Sequence, residues 1–218
     1  VVQEPSRMSH IGGTTNIAAG LRITRTQILG QAGDRPNVPN VAVLITDGEA
    51  NEETMSTIPE ALLLQSAVEH LYVVGITKQI NEDELRFISS DGNLFYADSF
   101  SDLTSILADV TSEICVTVPP PTVGCQAVID IGFVIDSSGS IKDLDPGNWD
   151  ILLKFVRDVI NRFTIGEQAV RVGAVVYSNN ARVDFNLAEY YDKSALLDAI
   201  SATSYIGGTT NTPDGLRK

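Results

Sequence analysis

The chain has 218 residues, of which 43% are hydrophobic and 20% charged, and its formal net charge is −13 at pH 7. This composition is typical of a globular protein with a real core, and it argues against a disordered polypeptide. The negative charge argues against nucleic acid as a partner, because phosphate binding requires a basic surface, and it favours cations. Since the longest apolar runs, such as VAVLI at 41–45, are too short to span a bilayer, we expect no membrane insertion.

The first half of the chain alternates short apolar runs with amphipathic stretches, which is typical of parallel strands covered by helices. Apolar residues at helical spacing in its last stretch predict a helix that ends at Cys115. The predicted elements are a helix over 18–29, a strand over 40–48, a helix over 58–70, a strand over 71–77, a short helix over 81–90, an edge strand over 93–98 and a helix over 103–115.

A proline-rich segment divides the chain. Three consecutive prolines at 119–121 favour an extended, semi-rigid conformation, which is how a linker between domains is usually built. The two cysteines of the chain, Cys115 and Cys125, bracket this segment. They are too few for a disulfide-rich scaffold and lack the spacing of a zinc site. We therefore interpret residues 116–125 as a linker with each cysteine at the edge of a different domain.

The second half continues the same alternation, so the predicted fold class is α/β, with a doubly wound, mostly parallel sheet flanked by helices. Two of its strands are joined by Asn179 and Asn180, which suit a hairpin turn, and Ser194 suits the N-terminal cap of a helix. The predicted elements are strands over 128–136, 170–178 and 181–187, and helices over 149–163 and 194–203.

The sequence IGGTTN occurs twice, at 11–16 and at 206–211, and Gly-Leu-Arg follows each copy at the same distance. The separation of 195 residues is about the size of a domain and longer than any solenoid period. We expect 1–115 to be the C-terminal part of one domain and 126–218 the N-terminal part of the next. Because the two parts together hold every element of one domain, we expect them to close into a permuted domain, within one chain or across a dimer.

Three polar clusters lie where ligands collect in such sheets, at the carboxyl ends of strands near the reversal of winding direction. Each cluster alone also suits a turn or a helix cap, and the combination is what indicates a site. Hydroxyl-rich sites with few carboxylates suit a small hard cation such as Mg²⁺. The candidate ligands are Asp136, Ser138 and Ser140 from DSSGS, Asp47 from TDGE, and a hydroxyl from one of the duplicated loops, either Thr15 or Thr210.

The stretches DIGFVIDSSGSI, IGGTTNTPDGLR and VLITDGEAN closely resemble the three motifs of the von Willebrand factor type A family, which is related to integrin inserted domains. The resemblance implies an extracellular fold whose metal-ion-dependent adhesion site holds Mg²⁺, or Ca²⁺ or Mn²⁺ in its place, and captures an acidic residue of a partner. Extracellular matrix proteins such as collagens, or further copies of the same protein, are compatible partners. The implied metal ligands are Asp136, Ser138, Ser140 and Thr210 in the second domain and Thr15 and Asp47 in the first.

Two details follow from the resemblance. The second Thr of the family's loop is Thr212 in the later copy but Ile17 in the earlier copy, which would weaken metal binding in the first domain. Many family members join their termini by a disulfide bond, so the resemblance implies that Cys115 and Cys125 have their native partners outside this chain. Such bonds form in oxidising, extracellular surroundings, so we expect a secreted protein of the extracellular matrix or the ectodomain of a surface protein.

Three other functions were weighed. A serine hydrolase would need a histidine base near Ser138 or Ser140, but the chain has only His10 and His70 and no G-x-S-x-G motif. A nucleotide-binding enzyme would need a glycine-rich phosphate motif after a strand, and none occurs. We therefore expect no enzyme activity. The closer alternative is a structural matrix module whose metal site is non-functional.

Overall fold

The structure is a computed structural model, and it describes residues 14–31, 33–116 and 128–206. Thr210, Thr212, His10 and Cys125 lie outside these residues. The described elements are α1 (Ile17–Ile23), continued by a π-helical turn (Thr24–Ile28), β1 (Asn40–Thr46), α2 (Thr54–Gln65), β2 (His70–Ile76), α3 (Glu82–Ile88), β3 (Leu94–Ala97), α4 (Leu103–Val116), β4 (Asp130–Asp136), α5 (Gly139–Leu144), α6 (Asn148–Asn161), β5 (Arg171–Tyr177), β6 (Ala181–Phe185) and α7 (Lys193–Ala202).

All six strands form one sheet, in the order β3-β2-β1-β4-β5-β6. Every neighbouring pair is parallel except β5 and β6, which form the antiparallel hairpin predicted from the Asn-Asn turn. In the centre β1 lies beside β4, with Val41 opposite Ile131 and Ile45 opposite Ile135. This confirms the expectation that the strand at 41–46 lies beside the strand at 129–135 within one chain. The α/β doubly wound fold class is likewise confirmed.

Apolar residues cover both faces of the sheet, because the central strands are buried along their whole length. One face packs against α4, α6 and α7, and the other packs against α1, α2 and α3. Such two-sided burial explains why these strands appear in the sequence as nearly continuous apolar runs. Among the described residues, no helix is both long and apolar enough to cross a membrane.

Three local predictions needed correction. Helix α2 runs over Thr54–Gln65 instead of 58–70, with Pro59 inside it. The proline withholds a donor from the Met55 carbonyl, and that turn is exposed to water, which can satisfy the carbonyl. The cap of α7 is Asp192, whose carboxylate accepts from the Ala195 amide, and Ser194 lies inside the helix. Helix α5 was not predicted, because six residues are too few to show periodicity.

Cys115 lies near the end of α4. Cys125 lies outside the described residues, so the expectation that each cysteine pairs with one outside this chain stays a prediction. Helix α4 ends at Val116, and the rest of the predicted linker at 116–125 lies outside the described residues.

Candidate metal site

The winding direction of the sheet reverses between β1 and β4, and the sequence-predicted carboxylates meet there. Asp47 follows β1 directly, and Asp136 is the last residue of β4. Ser140, from the first turn of α5, donates its hydroxyl to Asp47 Oδ1 at 2.8 Å. Its oxygen lies 3.0 Å from that of Ser138. Four of the predicted ligands, Asp47, Asp136, Ser138 and Ser140, therefore form one hydrogen-bonded cluster.

Asp136 is fully buried, and both of its carboxylate oxygens accept hydrogen bonds. The Ser138 amide donates to Oδ1 at 2.8 Å. The Thr46 hydroxyl donates to Oδ2 at 2.8 Å, and the Tyr177 hydroxyl donates to the same oxygen at 3.3 Å. Burial raises the pKa of Asp136, although these donors oppose the shift. The hydrogen bonds therefore hold the carboxyl group in one orientation at the base of the site.

Asp47 is also buried, and one of its oxygens has no partner. Oδ1 accepts from Ser140, whereas Oδ2 is buried without a hydrogen-bond partner among the described residues. Burial first, and then the nearby charge of Asp136, raise the pKa of Asp47 from 3.8 to about 8. Unpaired buried polar oxygens are rare in folded proteins and call for a cause. A hard cation bound at this oxygen would satisfy it.

Thr15 lies beside the same cluster. Its side chain is buried, and a Cβ placed on Gly48 would be 3.7 Å from its hydroxyl oxygen, so the hydroxyl lies next to the residue that follows Asp47. The structure thus places Thr15, from the earlier copy of the duplicated loop, at the site, while Thr210 lies outside the described residues. Ile17 is completely buried in the core beneath α1, so it offers the site no polar group.

Sequence reasoning missed four residues around the site. Thr46 and Tyr177 bind Asp136, and Asn51 contacts Thr15 at 2.7 Å. Tyr205 donates its hydroxyl to the Ser138 carbonyl and packs edge-on against a tryptophan. For Thr46 and Tyr177, the available signal was a polar side chain at the end of an otherwise apolar strand. Asn51 and Tyr205 gave no such signal, because both lie in irregular segments and not at the end of a strand.

The donor set fits a hard divalent cation. It offers carboxylate and hydroxyl oxygens and no sulfur or imidazole, which suits Mg²⁺ or Ca²⁺. No group of three or more His, Cys, Asp and Glu residues that could hold a metal occurs in the described part of the chain. The candidate site therefore depends on two carboxylates supplemented by hydroxyls, as the sequence indicated. The unpaired Asp47 oxygen is the feature that a bound cation would satisfy.

A histidine base is not near these serines in the described residues. His70 begins β2, at the amino edge of the sheet, while Ser138 and Ser140 lie at the carboxyl edge. Its ring lies 5.6 Å from that of Tyr72. His70 therefore packs against Tyr72 at the edge of the sheet opposite the candidate site.

A doubly wound sheet with an oxygen-rich site at its reversal point defines a class of α/β ligand-binding domains. Within this class the chain belongs to the von Willebrand factor type A domain family, whose sequence profile matches residues 3–109 and 130–218. The two matches meet in one sheet, since β1 belongs to the first and β4 to the second.

The chain is similar to several matrix proteins. The collagen alpha-6(VI) chain of Homo sapiens is 32% identical over 96% of this chain and 9% of its own length. Vitrin of Homo sapiens is 26% identical over 94% of this chain and 31% of its own length. Proximal thread matrix protein 1 from the mussel byssus, solved with its MIDAS motif occupied by zinc, is 28% identical over 94% of this chain and 52% of that protein, with a TM-score of 0.43.

The chain spans less than a tenth of the collagen chain and less than a third of vitrin. These relatives are proteins of the extracellular matrix, and we assign this chain to the same extracellular setting. None of the three is named as an enzyme.

Proposed function

We propose that this chain is a matrix adhesion module that binds a divalent cation, Mg²⁺ or in its place Ca²⁺ or Mn²⁺, and uses it to accept a carboxylate of a protein partner. The observation that carries the proposal is that Asp47 Oδ2 is buried and has no hydrogen-bond partner among the described residues. The other carboxylate oxygen, Oδ1, accepts a hydrogen bond from the Ser140 hydroxyl at 2.8 Å. A structural module would have no need to bury an unsatisfied carboxylate oxygen at the edge of its sheet.

Five side chains would hold the cation: Asp47, Asp136, Ser138, Ser140 and Thr15. A bound cation would be coordinated by two carboxylates at most and otherwise by neutral hydroxyls and waters, so an anionic group of a partner could replace one of the waters. The hydroxyls of Thr46 and Tyr177 both donate to Asp136 Oδ2 and so would hold this carboxylate in place. The protein would thus contribute two carboxylates, from Asp47 and Asp136, and three neutral hydroxyls, from Ser138, Ser140 and Thr15.

The partner class follows from the same chemistry. An acidic side chain on a matrix protein, such as a collagen, or on another copy of this protein would complete the site.

We further propose that residues 1–115 and 126–218 correspond to parts of two consecutive domains joined by the linker at 116–125. The two separate profile matches and the duplicated IGGTTN loop support this arrangement. Tandem domains of this kind would raise the effective affinity for a repeating partner through avidity.

The first test replaces Asp47 with Asn, which removes the charge and keeps the shape. We expect the affinity for Mg²⁺, measured by isothermal titration calorimetry, to fall at least about tenfold, because the cation loses one of two carboxylates. Asp109→Asn is the matched control, since Asp109 is an exposed carboxylate on α4 and its loss changes the net charge equally.

The same titration decides between the proposal and the structural module. If the unaltered chain shows no heat of binding and no thermal stabilisation at millimolar Mg²⁺, Ca²⁺ or Mn²⁺, the adhesion-site proposal is wrong and the structural alternative stands.

A further inference from the structure

We infer that Asn51 is the positioning residue for Thr15, locking that residue to the loop that carries Asp47. The inference rests on the proposed function, since it assigns a task to a residue outside the set of metal ligands. Asn51 lies four residues after Asp47, in the connection between β1 and α2. It is the last residue of the stretch VLITDGEAN, and its exposed side chain by itself indicates no task.

Two reciprocal hydrogen bonds join Asn51 to Thr15. The Thr15 amide donates to the Asn51 side-chain oxygen at 2.7 Å, and the Asn51 amide donates to the Thr15 carbonyl at 3.1 Å. The Glu52 amide lies 3.4 Å from the same carbonyl. Both polar groups of the Thr15 backbone are thus satisfied by the Asp47 loop. Because Thr15 is almost completely buried, water cannot replace these partners.

The residue after Thr15 extends the connection in two directions. The Asn16 side chain caps α1 by accepting from the Ala19 amide at 2.9 Å. Its amide group donates to Glu53 of the Asp47 loop at 3.0 Å and to the Asn179 carbonyl of the β5–β6 turn at 3.1 Å. Asn16 therefore fixes the start of α1, while Asn51 alone supplies the side-chain acceptor for the Thr15 amide.

The two hydrogen bonds between Asn51 and Thr15 matter because Thr15 and Asp47 come from two different irregular segments. A hydroxyl can serve a cation only when its backbone is held at a set distance from the other ligands. Residues that orient metal ligands from behind typically change metal affinity about 10- to 100-fold when they are replaced. The Asn51 oxygen is such a group, since it ties the Thr15 backbone to the chain that continues from Asp47.

The test compares three variants by titration with Mg²⁺ alone. Asn51→Ala removes the acceptor, Asn51→Gln keeps an amide but displaces its oxygen by one bond, and Asn51→Asp keeps an acceptor in place. We expect Mg²⁺ affinity to fall about 10-fold or more for the Ala and Gln variants and to be retained by Asp. Asn81→Ala is the matched control, because Asn81 is also an exposed asparagine whose oxygen accepts from a backbone amide, that of Glu84 at 3.1 Å.

A second readout is independent of metal. In the metal-free protein, hydrogen exchange at the Thr15 amide should be slow, and it should accelerate in Asn51→Ala but not in Asn81→Ala. If Asn51→Ala does not fold, the Gln variant decides.

The outcomes separate the two proposals. Absence of Mg²⁺ binding by the unaltered chain overturns the proposed function. Normal Mg²⁺ binding by the unaltered chain, with unchanged affinity in both Ala and Gln variants, overturns only the assignment of Asn51. An equal loss of affinity in Asn81→Ala would also overturn it, because the effect would then be one of general stability.

Discussion

At the scale of single residues, two carboxylates share a buried site and repel each other when both are ionised. Desolvation and the charge of Asp136 raise the pKa of Asp47 to about 8. In the metal-free protein Asp47 therefore binds a proton more tightly in the folded state than in the unfolded state, where its pKa is near 3.8. This contribution to stability is fully present below pH 4 and is lost as pH rises through about 8.

A cation reverses this dependence, because it requires the ionised carboxylate. We predict that Mg²⁺ affinity rises between pH 6 and pH 8, by up to about tenfold per pH unit, since each bound cation displaces a proton. Calorimetry in two buffers of different ionisation enthalpy measures the released protons directly. A pH-independent affinity with no proton release over this range would contradict the assignment of Asp47 as a ligand.

At the scale of elements, α1 packs against the sheet through a glycine. A Cβ placed on Gly20 would lie 2.9 Å from Tyr177 Cδ1 and 2.9 Å from Val134 Cγ1, which is closer than carbon atoms approach. Tyr177 is also the residue that donates to Asp136. Tyr177 therefore contacts α1 with its ring and the candidate site with its hydroxyl.

We predict that Gly20→Ala destabilises the fold by about 1–3 kcal/mol, because the methyl group overpacks the interface by more than its gain in helix propensity of about 1 kcal/mol. Urea unfolding followed by circular dichroism measures the change. The control is Gly166→Ala, whose added Cβ would meet only an ordinary contact at 3.7 Å from Ala169. A stability of Gly20→Ala equal to or above that of the unaltered chain would refute the packing argument.

At the scale of the whole molecule, the two sides of the linker are joined through the middle of the sheet. Strands β1 and β4 pair over six residues on each side. At the amino edge, the guanidinium of Arg35 forms an ion pair of 2.6 Å with buried Asp130 and donates to the Ala169 carbonyl at 2.8 Å. If the two halves were separated, each would expose the unpaired edge of a central strand, β1 in one half and β4 in the other.

We predict that cleavage within residues 117–127, at an introduced protease site, leaves the two halves associated. The central pairing and two apolar faces hold them together without the connection. Size-exclusion chromatography in the presence of a reductant, which removes any disulfide link between the halves, should show one species after cleavage, and this species should separate only in denaturant. Two separately eluting halves under native conditions would show that the observed closure depends on the linker.

Hydrophobic periodicity was enough to predict the strands and most helices, because burial on both faces leaves continuous apolar runs and burial on one face leaves a stripe. It could not predict α5, which is too short, or the Asp192 cap, which competes with Ser194 two residues later. Asp47, Asp136, Ser138 and Ser140 were predicted because they follow strand ends. The tasks of Tyr177 and Asn51 were not predicted, because nothing in the sequence pairs them with their partners Asp136 and Thr15.

The contact between Thr46 and Asp136 joins residues 90 positions apart. In the folding of this chain, β1 therefore has to meet β4 across a long stretch of sequence, and the candidate site cannot assemble until the two strands have paired. Until then one edge of β1 is open to other strands, which is a period of vulnerability to aggregation. Loop closure over such a distance also slows folding relative to helix formation. The middle of this sheet is consequently completed late, and its metal site with it.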